Sequence, residues 1–303
     1  MGFQKAQKQK VKLRLAIEGP SGSGKTYSAL RIANGLCPGG KIAVIDTENN
    51  SASLYADRFG FDVADLTPPY APERYVELIK AAAKDYDVLI IDSASHEWSG
   101  EGGILDIHSR MPGNSFTNWA RVNPKHNAFI NSLLQAPCHI IATMRSKESY
   151  ALDENDKGKV TPKKVGMEAV QRQGVAYEFS LVFTMDVSHQ ACATKDRTAM
   201  FAADQWFLPT EETGKQLRNW LESGVDAPAP AQQAPQQAPV EAPVRASNEV
   251  LLRIIKACDG DREKTLSELT QFLGREITST KELTAAEAAQ FLAAREQLLA
   301  EAA

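Results

Sequence analysis

The sequence predicts an α/β protein with a mostly parallel central sheet, followed by a small all-α domain. Three observations carry that prediction. Short apolar runs alternate with helix-like stretches through residues 13–185, the pattern of strands covered by helices on both faces. A glycine-rich octet, GPSGSGKT at 19–26, joins the first apolar run to the first helix-like stretch. A run of proline with alanine and glutamine, APAPAQQAPQQAPVEAPVR at 227–245, cannot build a core and reads as an extended tether.

The elements follow in order. Residues 1–10 form a basic N-terminal segment, 11–224 the main domain, 225–246 the linker and 247–303 a small helical domain. Apolar runs place strands at 13–18, 42–45, 88–91, 139–143 and 179–185. Helical spacing places helices at 26–34, 52–59, 71–84 and 124–134. Past the linker, apolar residues recur at helical spacing in three stretches. Ser247 or Asn248, Asp261 and Thr284 are their candidate N-caps, and Glu287 completes a capping-box pattern with Thr284. No catalytic constellation is visible there, so the tail reads as an interaction bundle.

Composition narrows the classes. With 303 residues, 43% of them hydrophobic, the chain can bury one sizeable core and a smaller second one. A net charge of −4 argues against nucleic-acid binding by bulk charge and leaves a local basic patch open. Cys37, Cys138, Cys192 and Cys258 are scattered without a CxxC pair and read as reduced, structural thiols. His96, His108 and His126 are too widely spaced to read as a metal site. No apolar run approaches the roughly 20 residues a membrane span needs. The opening MGFQKAQKQKVKLR lacks the apolar stretch of a signal peptide, so a cytoplasmic protein without membrane partners is expected.

The octet fits GxxxxGK[ST] in full, with a strand before it and a helix after it. Gly19, Pro20, Ser21, Gly22, Ser23 and Gly24 can curl backbone N–H groups around phosphate oxygens, and the helix that follows, with Tyr27 in its first turn, adds its positive end. Lys25 is expected to reach the β- and γ-phosphates of ATP, and the Thr26 hydroxyl to ligate Mg²⁺. A second metal anchor is expected from DVLIIDSAS, where an apolar strand ends at Asp92. The strand at 42–45 runs into Asp46 and Glu48. In an open α/β sheet it delivers them to the edge where ligands bind. Glu48 is expected to orient and deprotonate water. Asp46 is a partner behind it or a strand-end cap.

The set GPSGSGKT, KIAVIDTENNSASLYADRFGFDVADL, DVLIIDSAS and CHIIATMRSK resembles, in order and spacing, the RecA-type recombinase ATPase core over roughly residues 11–205. It is most similar to compact RecA-like proteins encoded by bacteriophages beside recombination genes. The resemblance implies a RecA-like P-loop NTPase fold that binds ATP and ADP, with Glu48 in IDTE as the catalytic glutamate. It places Thr143 and Arg145 on the strand that senses phosphate. ATKDRTAMF at 193–201 is similar to the K-x-[KR] element that such ATPases send into a neighbouring active site. Lys195 and Arg197, two apart on one strand, would then act across a head-to-tail homo-oligomer, a ring or a filament. Phe3 and Ala6 resemble an F-x-x-A polymerisation segment.

RecA-like folds hold DNA with two loops. By position these are 95–119, carrying Trp98, Phe116 and Trp119 for base stacking, and 147–174, carrying Lys163, Lys164 and Arg172 for phosphates. The function implied is a DNA-stimulated ATPase that binds single-stranded DNA and supports recombination or strand annealing. Its C-terminal domain would recruit an annealing or single-strand-binding protein, in a bacterial host cytoplasm if the chain is phage-encoded. The alternatives are a hexameric helicase-type motor and an ATP-switched regulatory protein that binds no DNA.

Overall fold

The computed structural model describes residues 5–154, 160–225 and 245–301, with backbone alone at 149–154, 160–165 and 296–301. The chain divides into two compact units, Met1–Ala227 and Pro228–Ala303. The first opens with β1 (Arg14–Gly19), α1 (Lys25–Leu36), β2 (Ile42–Asp46), β3 (Asp62–Asp65), α2 (Pro72–Asp85) and β4 (Val88–Asp92). It continues through α3 (Ser95–Ser99), α4 (Ile104–Ser109), α5 (Ser115–Gln135), β5 (His139–Glu154) and β6 (Val160–Ala169). It closes with β7 (Leu181–Met185), β8 (Ala191–Asp196), β9 (Trp206–Phe207) and α6 (Glu211–Glu222).

Among the described residues the strands form one nine-stranded sheet in the order β3-β2-β4-β5-β1-β7-β8-β9, with β6 pairing to β5 off that path. From β3 to β7 neighbouring strands are parallel, and β8 and β9 return antiparallel. The expected mixed α/β class, mostly parallel and RecA-like, is the class observed. Strands β2 and β4 are buried at all five positions, because helices cover both faces. Successive residues of one strand feed opposite cores. Leu15 and Ile17 join Leu30, Ile32 and Leu36 of α1 and Leu217 and Leu221 of α6. Ala16 joins Tyr75 and Ile79 of α2 and Phe129 and Leu133 of α5.

Several elements differ from the sequence reading, each for a physical reason. The segment expected as a loop at 147–174 is the outer half of β5 and its return strand β6, a hairpin arm that leaves the sheet. Such an arm is ordered by backbone pairing, so it carries no apolar alternation to read. The expected loop at 95–119 is α3, α4 and the start of α5. The helix expected at 124–134 begins nine residues earlier, at Ser115, where Asn114 accepts from the Phe116 N–H at 2.8 Å. Pro124 lies inside it. The buried stripe Asn118, Val122, His126 and Phe129 carries the helix through the missing N–H. The helix expected at 52–59 is one short 3₁₀ turn, Ala52–Tyr55. Phe3, and residues 155–159 within the expected loop at 147–174, lie outside the described residues.

The second unit packs α7 (Asn248–Ala257), α8 (Arg262–Leu273) and α9 (Ala285–Glu301) around Leu251, Ile254, Leu269, Leu283 and Phe291. Ser247 and Asp261 cap α7 and α8. Thr284 and Glu287 exchange hydrogen bonds, the Thr284 N–H to Oε2 at 2.9 Å and the Glu287 N–H to Oγ1 at 3.2 Å.

Helices α1 and α6 touch backbone to backbone through glycines. A Cβ on Gly35 would sit 1.8 Å from the Glu211 carbonyl oxygen, and one on Gly214 would sit 2.2 Å from that of Ile32. Gly35→Ala is therefore expected to destabilise the first unit by about 1–3 kcal/mol. Urea unfolding followed by tryptophan fluorescence reads this, and an unchanged midpoint would show that the two helices do not meet there.

Candidate active site

The carboxyl ends of four parallel strands bring the candidate residues to one edge. Asp46 of β2 stands level with Asp92 of β4, and Gly19 of β1 with Arg145 of β5. Beyond that edge lies a cavity of about 640 Å³, whose walls include Gly22, Lys25, Thr26, Glu48, Asp92 and Arg145. That volume is within the range of ligand sites, roughly 300–1,000 Å³.

Gly22 and Gly24 take left-handed φ of 79° and 81°, which turns the loop back on itself and aims its amides inward. Helix α1 starts at Lys25 with no side-chain cap, so its first N–H groups remain free for an anion. The Lys25 ammonium donates to the carbonyls of Gly19 (2.9 Å) and Pro20 (2.8 Å). Burial lowers its pKa, against the raising pull of Asp92 and Glu48. Tyr27 turns towards Tyr55 (5.1 Å) and Phe59 (5.5 Å), and Tyr55 itself lines the cavity.

Asp92 is 2% exposed. Two hydroxyls hold its carboxylate: Thr26 donates to Oδ2 at 2.5 Å and Thr143 to Oδ1 at 2.5 Å. Burial raises its pKa, and the hydroxyls offset part of that. Thr143 therefore supports the carboxylate rather than lining the cavity. One hydroxyl and one carboxylate are too few for an all-protein cage, and no cluster of three or more His, Cys, Asp or Glu forms a metal site among the described residues. That donor set suits Mg²⁺, which keeps phosphate oxygens and water in its shell.

Asp46 proves to be a cap. Its buried carboxylate accepts the N–H of Glu48 at 2.7 Å and of Ala52 at 2.9 Å, folding 46–52 into a turn in which Asn49 and Asn50 are left-handed. Glu48 stands on that turn. Its Oε1 accepts from Ser93 Oγ (3.0 Å) and Arg145 Nε (2.8 Å), and its Oε2 from Arg145 Nη2. Burial pushes its pKa up, but the Arg145 guanidinium, helped by His96 and Ser93, outweighs it and holds the carboxyl below the usual range.

Sequence reasoning missed a half-buried hydrogen-bonded cluster behind this turn. The Thr47 hydroxyl lies 2.7 Å from His96 Nδ1 and accepts the Ser93 N–H at 2.8 Å, while Tyr70 stacks on His96 at 4.7 Å. Ser93 follows Asp92 directly and was findable. Nothing in the spacing of His96 or Tyr70 marks them.

Other candidates lie elsewhere. Leu181 of β7 stands level with both Leu15 and Asp196, so Lys195 and Arg197 sit at the amino end of β1, opposite Gly19. Lys195 is level with Ala16, three residues from Gly19, about 10 Å along a strand, and Arg197 lies further still. Arg197 falls one residue past β8, yet both cations converge on the Tyr177 carbonyl, Lys195 at 2.6 Å and Arg197 at 3.4 Å. Lys163 and Lys164 pair with Ala151 and Tyr150 along the arm. Arg172 follows β6 and lines a separate cavity. The Trp119 ring is stacked on His108 (4.1 Å) and Trp98 (6.0 Å), whereas Phe116 is 86% exposed.

The family model for the AAA domain matches residues 11–208. Protein RecA of Thermus thermophilus is 36% identical over 100 residues, 30% of this chain and 29% of that protein. Protein RecA of Thermus aquaticus is 29% identical over 178 residues, 51% of this chain and 52% of that protein. Protein RecA of Clostridium perfringens is 36% identical over 86 residues, 27% of this chain and 24% of that protein. The chain thus spans about half or less of these relatives. Sequence and architecture agree on a P-loop NTPase with a RecA-like core. No described helix is long and apolar enough to cross a membrane.

Asp46→Ala removes the acceptor for two backbone amides and is expected to cost about 1–3 kcal/mol. Hydrogen exchange at the Glu48 and Ala52 amides should accelerate together, and unchanged protection would mean that another group folds the turn.

Proposed function

This chain belongs to the AAA domain family, and we propose that it is a magnesium-dependent ATPase that binds single-stranded DNA and supports homologous recombination or annealing. One observation carries the reading. Glu48, on the turn after β2, and Asp92, at the end of the neighbouring β4, line the same cavity as the phosphate loop, with separate supports.

In this reading ATP phosphates lie in the cradle of 19–24. Lys25 exchanges two neutral carbonyls for the β- and γ-phosphates, a move that breaks no ion pair. Thr26 and Asp92 hold Mg²⁺, which when bound neutralises charge on the phosphate oxygens. Glu48 accepts the proton of the attacking water as its oxygen bonds to the γ-phosphorus, and ADP leaves. Tyr55, on the cavity wall, stacks on the base.

Lys195 and Arg197 lie too far from their own cradle to serve it. They suit a neighbouring copy's γ-phosphate in a head-to-tail assembly, where they offset charge in the transition state. The arm with Lys163, Lys164 and Arg172 takes the DNA backbone, and the exposed Phe116 suits base stacking better than the already stacked Trp119. The helical unit recruits an annealing or single-strand-binding protein.

ATP hydrolysis with and without single-stranded DNA tests the proposal. The wild type is expected to be stimulated, with a salt-sensitive DNA affinity. Glu48→Gln should lower kcat by roughly 10²–10⁴ while still binding nucleotide. Hydrolysis indifferent to DNA would favour an ATP-switched regulator, and processive duplex unwinding would favour a helicase-type motor.

A further inference from the structure

The two ends of the phosphate loop are held from one side, by β7 and the turn after it. Strand β7 runs parallel to β1, with Thr184 level with Glu18. A Cβ on Gly19, where the loop begins, would lie 2.9 Å from the Met185 carbonyl oxygen at the end of β7. A Cβ on Gly24, where the loop ends, would lie 2.9 Å from Nδ1 of His189, 3.5 Å from its Cγ and 3.7 Å from its Cε1. A Cβ on Gly22, between them, would meet nothing within 4 Å. The imidazole of His189 thus lies against the last glycine of the loop, next to Lys25, while the middle of the loop is left open.

A tight turn between β7 and β8 brings His189 there. Asp186 Oδ1 accepts the N–H groups of Ser188 at 2.9 Å and Gln190 at 3.0 Å. The Asp186 N–H donates to the Gln190 carbonyl at 2.9 Å, and the His189 N–H to the Asp186 carbonyl at 3.2 Å. His189 is left-handed, with φ of 64°, a conformation that glycine takes more readily. The turn by itself would be better served by glycine at 189. What the imidazole adds is its contact with the phosphate loop.

That contact falls on the residue that aims the loop. Gly24 is left-handed at φ 81° and leads directly into α1, whose first N–H groups have no side-chain cap. Glycine has the widest choice of backbone conformations, so a loop free at Gly24 would spread over several shapes, and phosphates would have to select one. A ring packed against Gly24 narrows that choice before nucleotide arrives.

We propose that His189 is a positioning residue for the nucleotide. Its ring presets Gly24, and with it the amides of the phosphate loop, and so raises affinity for the phosphates that ATP and ADP share without taking part in turnover. This rests on the loop at 19–24 being the nucleotide site of the reading above, and it involves neither Glu48 nor DNA.

Calorimetric titration of the full chain with ADP, beside steady-state ATP hydrolysis, tests the brace in wild type, His189→Gly and His189→Asn. His189→Gly suits the left-handed turn and removes the ring. It should raise the Kd for ADP and the KM for ATP by a similar factor, about 5- to 10-fold, with kcat and the nucleotide-free melting temperature close to wild type. His189→Asn tolerates the left-handed turn and carries a planar polar group on the same Cγ, so it should recover part of the lost affinity. Unchanged ADP affinity in His189→Gly would overturn the proposal. So would weaker binding that comes with a lower nucleotide-free melting temperature and no recovery in His189→Asn, since the ring would then support only the fold. A fall in kcat at unchanged KM would overturn it too, because His189 would then act on the transition state. The ADP titration needs no hydrolysis, so it decides the brace even where the ATPase reading fails. A wild type that binds neither ADP nor ATP would overturn both.

Discussion

One buried carboxylate ties the site together. Asp92 ends a fully buried strand, and its two oxygens are taken by hydroxyls from two other elements, Thr26 on the helix after the phosphate loop and Thr143 on the neighbouring strand. A charge this deep is tolerated only when its oxygens are satisfied. Satisfying it fixes the phosphate loop's helix, β4 and β5 relative to one another. The cavity exists because those three elements cannot slide independently.

The same economy governs the turn after β2. Asp46 reaches forward to two amides and Thr47 reaches sideways to Ser93 and His96, so Glu48 is presented from a braced platform. The bracing comes from backbone amides and buried hydroxyls, which leaves the catalytic candidate's own oxygens to Ser93 and Arg145.

Geometry also separates functions along the sheet. The phosphate cradle occupies the carboxyl edge of β1, and Lys195 and Arg197 the amino edge, so one copy cannot bring the two together. The arm leaves from the carboxyl edge, beside the cradle. Arg145 stands where the arm joins the core strand, level with Gly19 of the phosphate loop.

Much of this was legible in the sequence, and the rest was not, for one physical reason. GPSGSGKT, the strand ending at Asp92, and IDTE ahead of Glu48 are local signals, since loop geometry and apolar periodicity are written in neighbouring residues. They determined the class of fold and brought the phosphate loop, Glu48 and Asp92 to one edge of the sheet. The hairpin arm lacked periodicity because backbone pairing orders it, α5 ran through Pro124 because a buried stripe outweighs one missing N–H, and the 3₁₀ turn at Ala52–Tyr55 answers to the Asp46 cap. The grip of Arg145 on Glu48, the hydroxyls on Asp92 and the cluster around His96 and Tyr70 join residues dozens of positions apart. Only strand order and register brought them within hydrogen-bonding distance, and that register was set by packing two cores against one sheet.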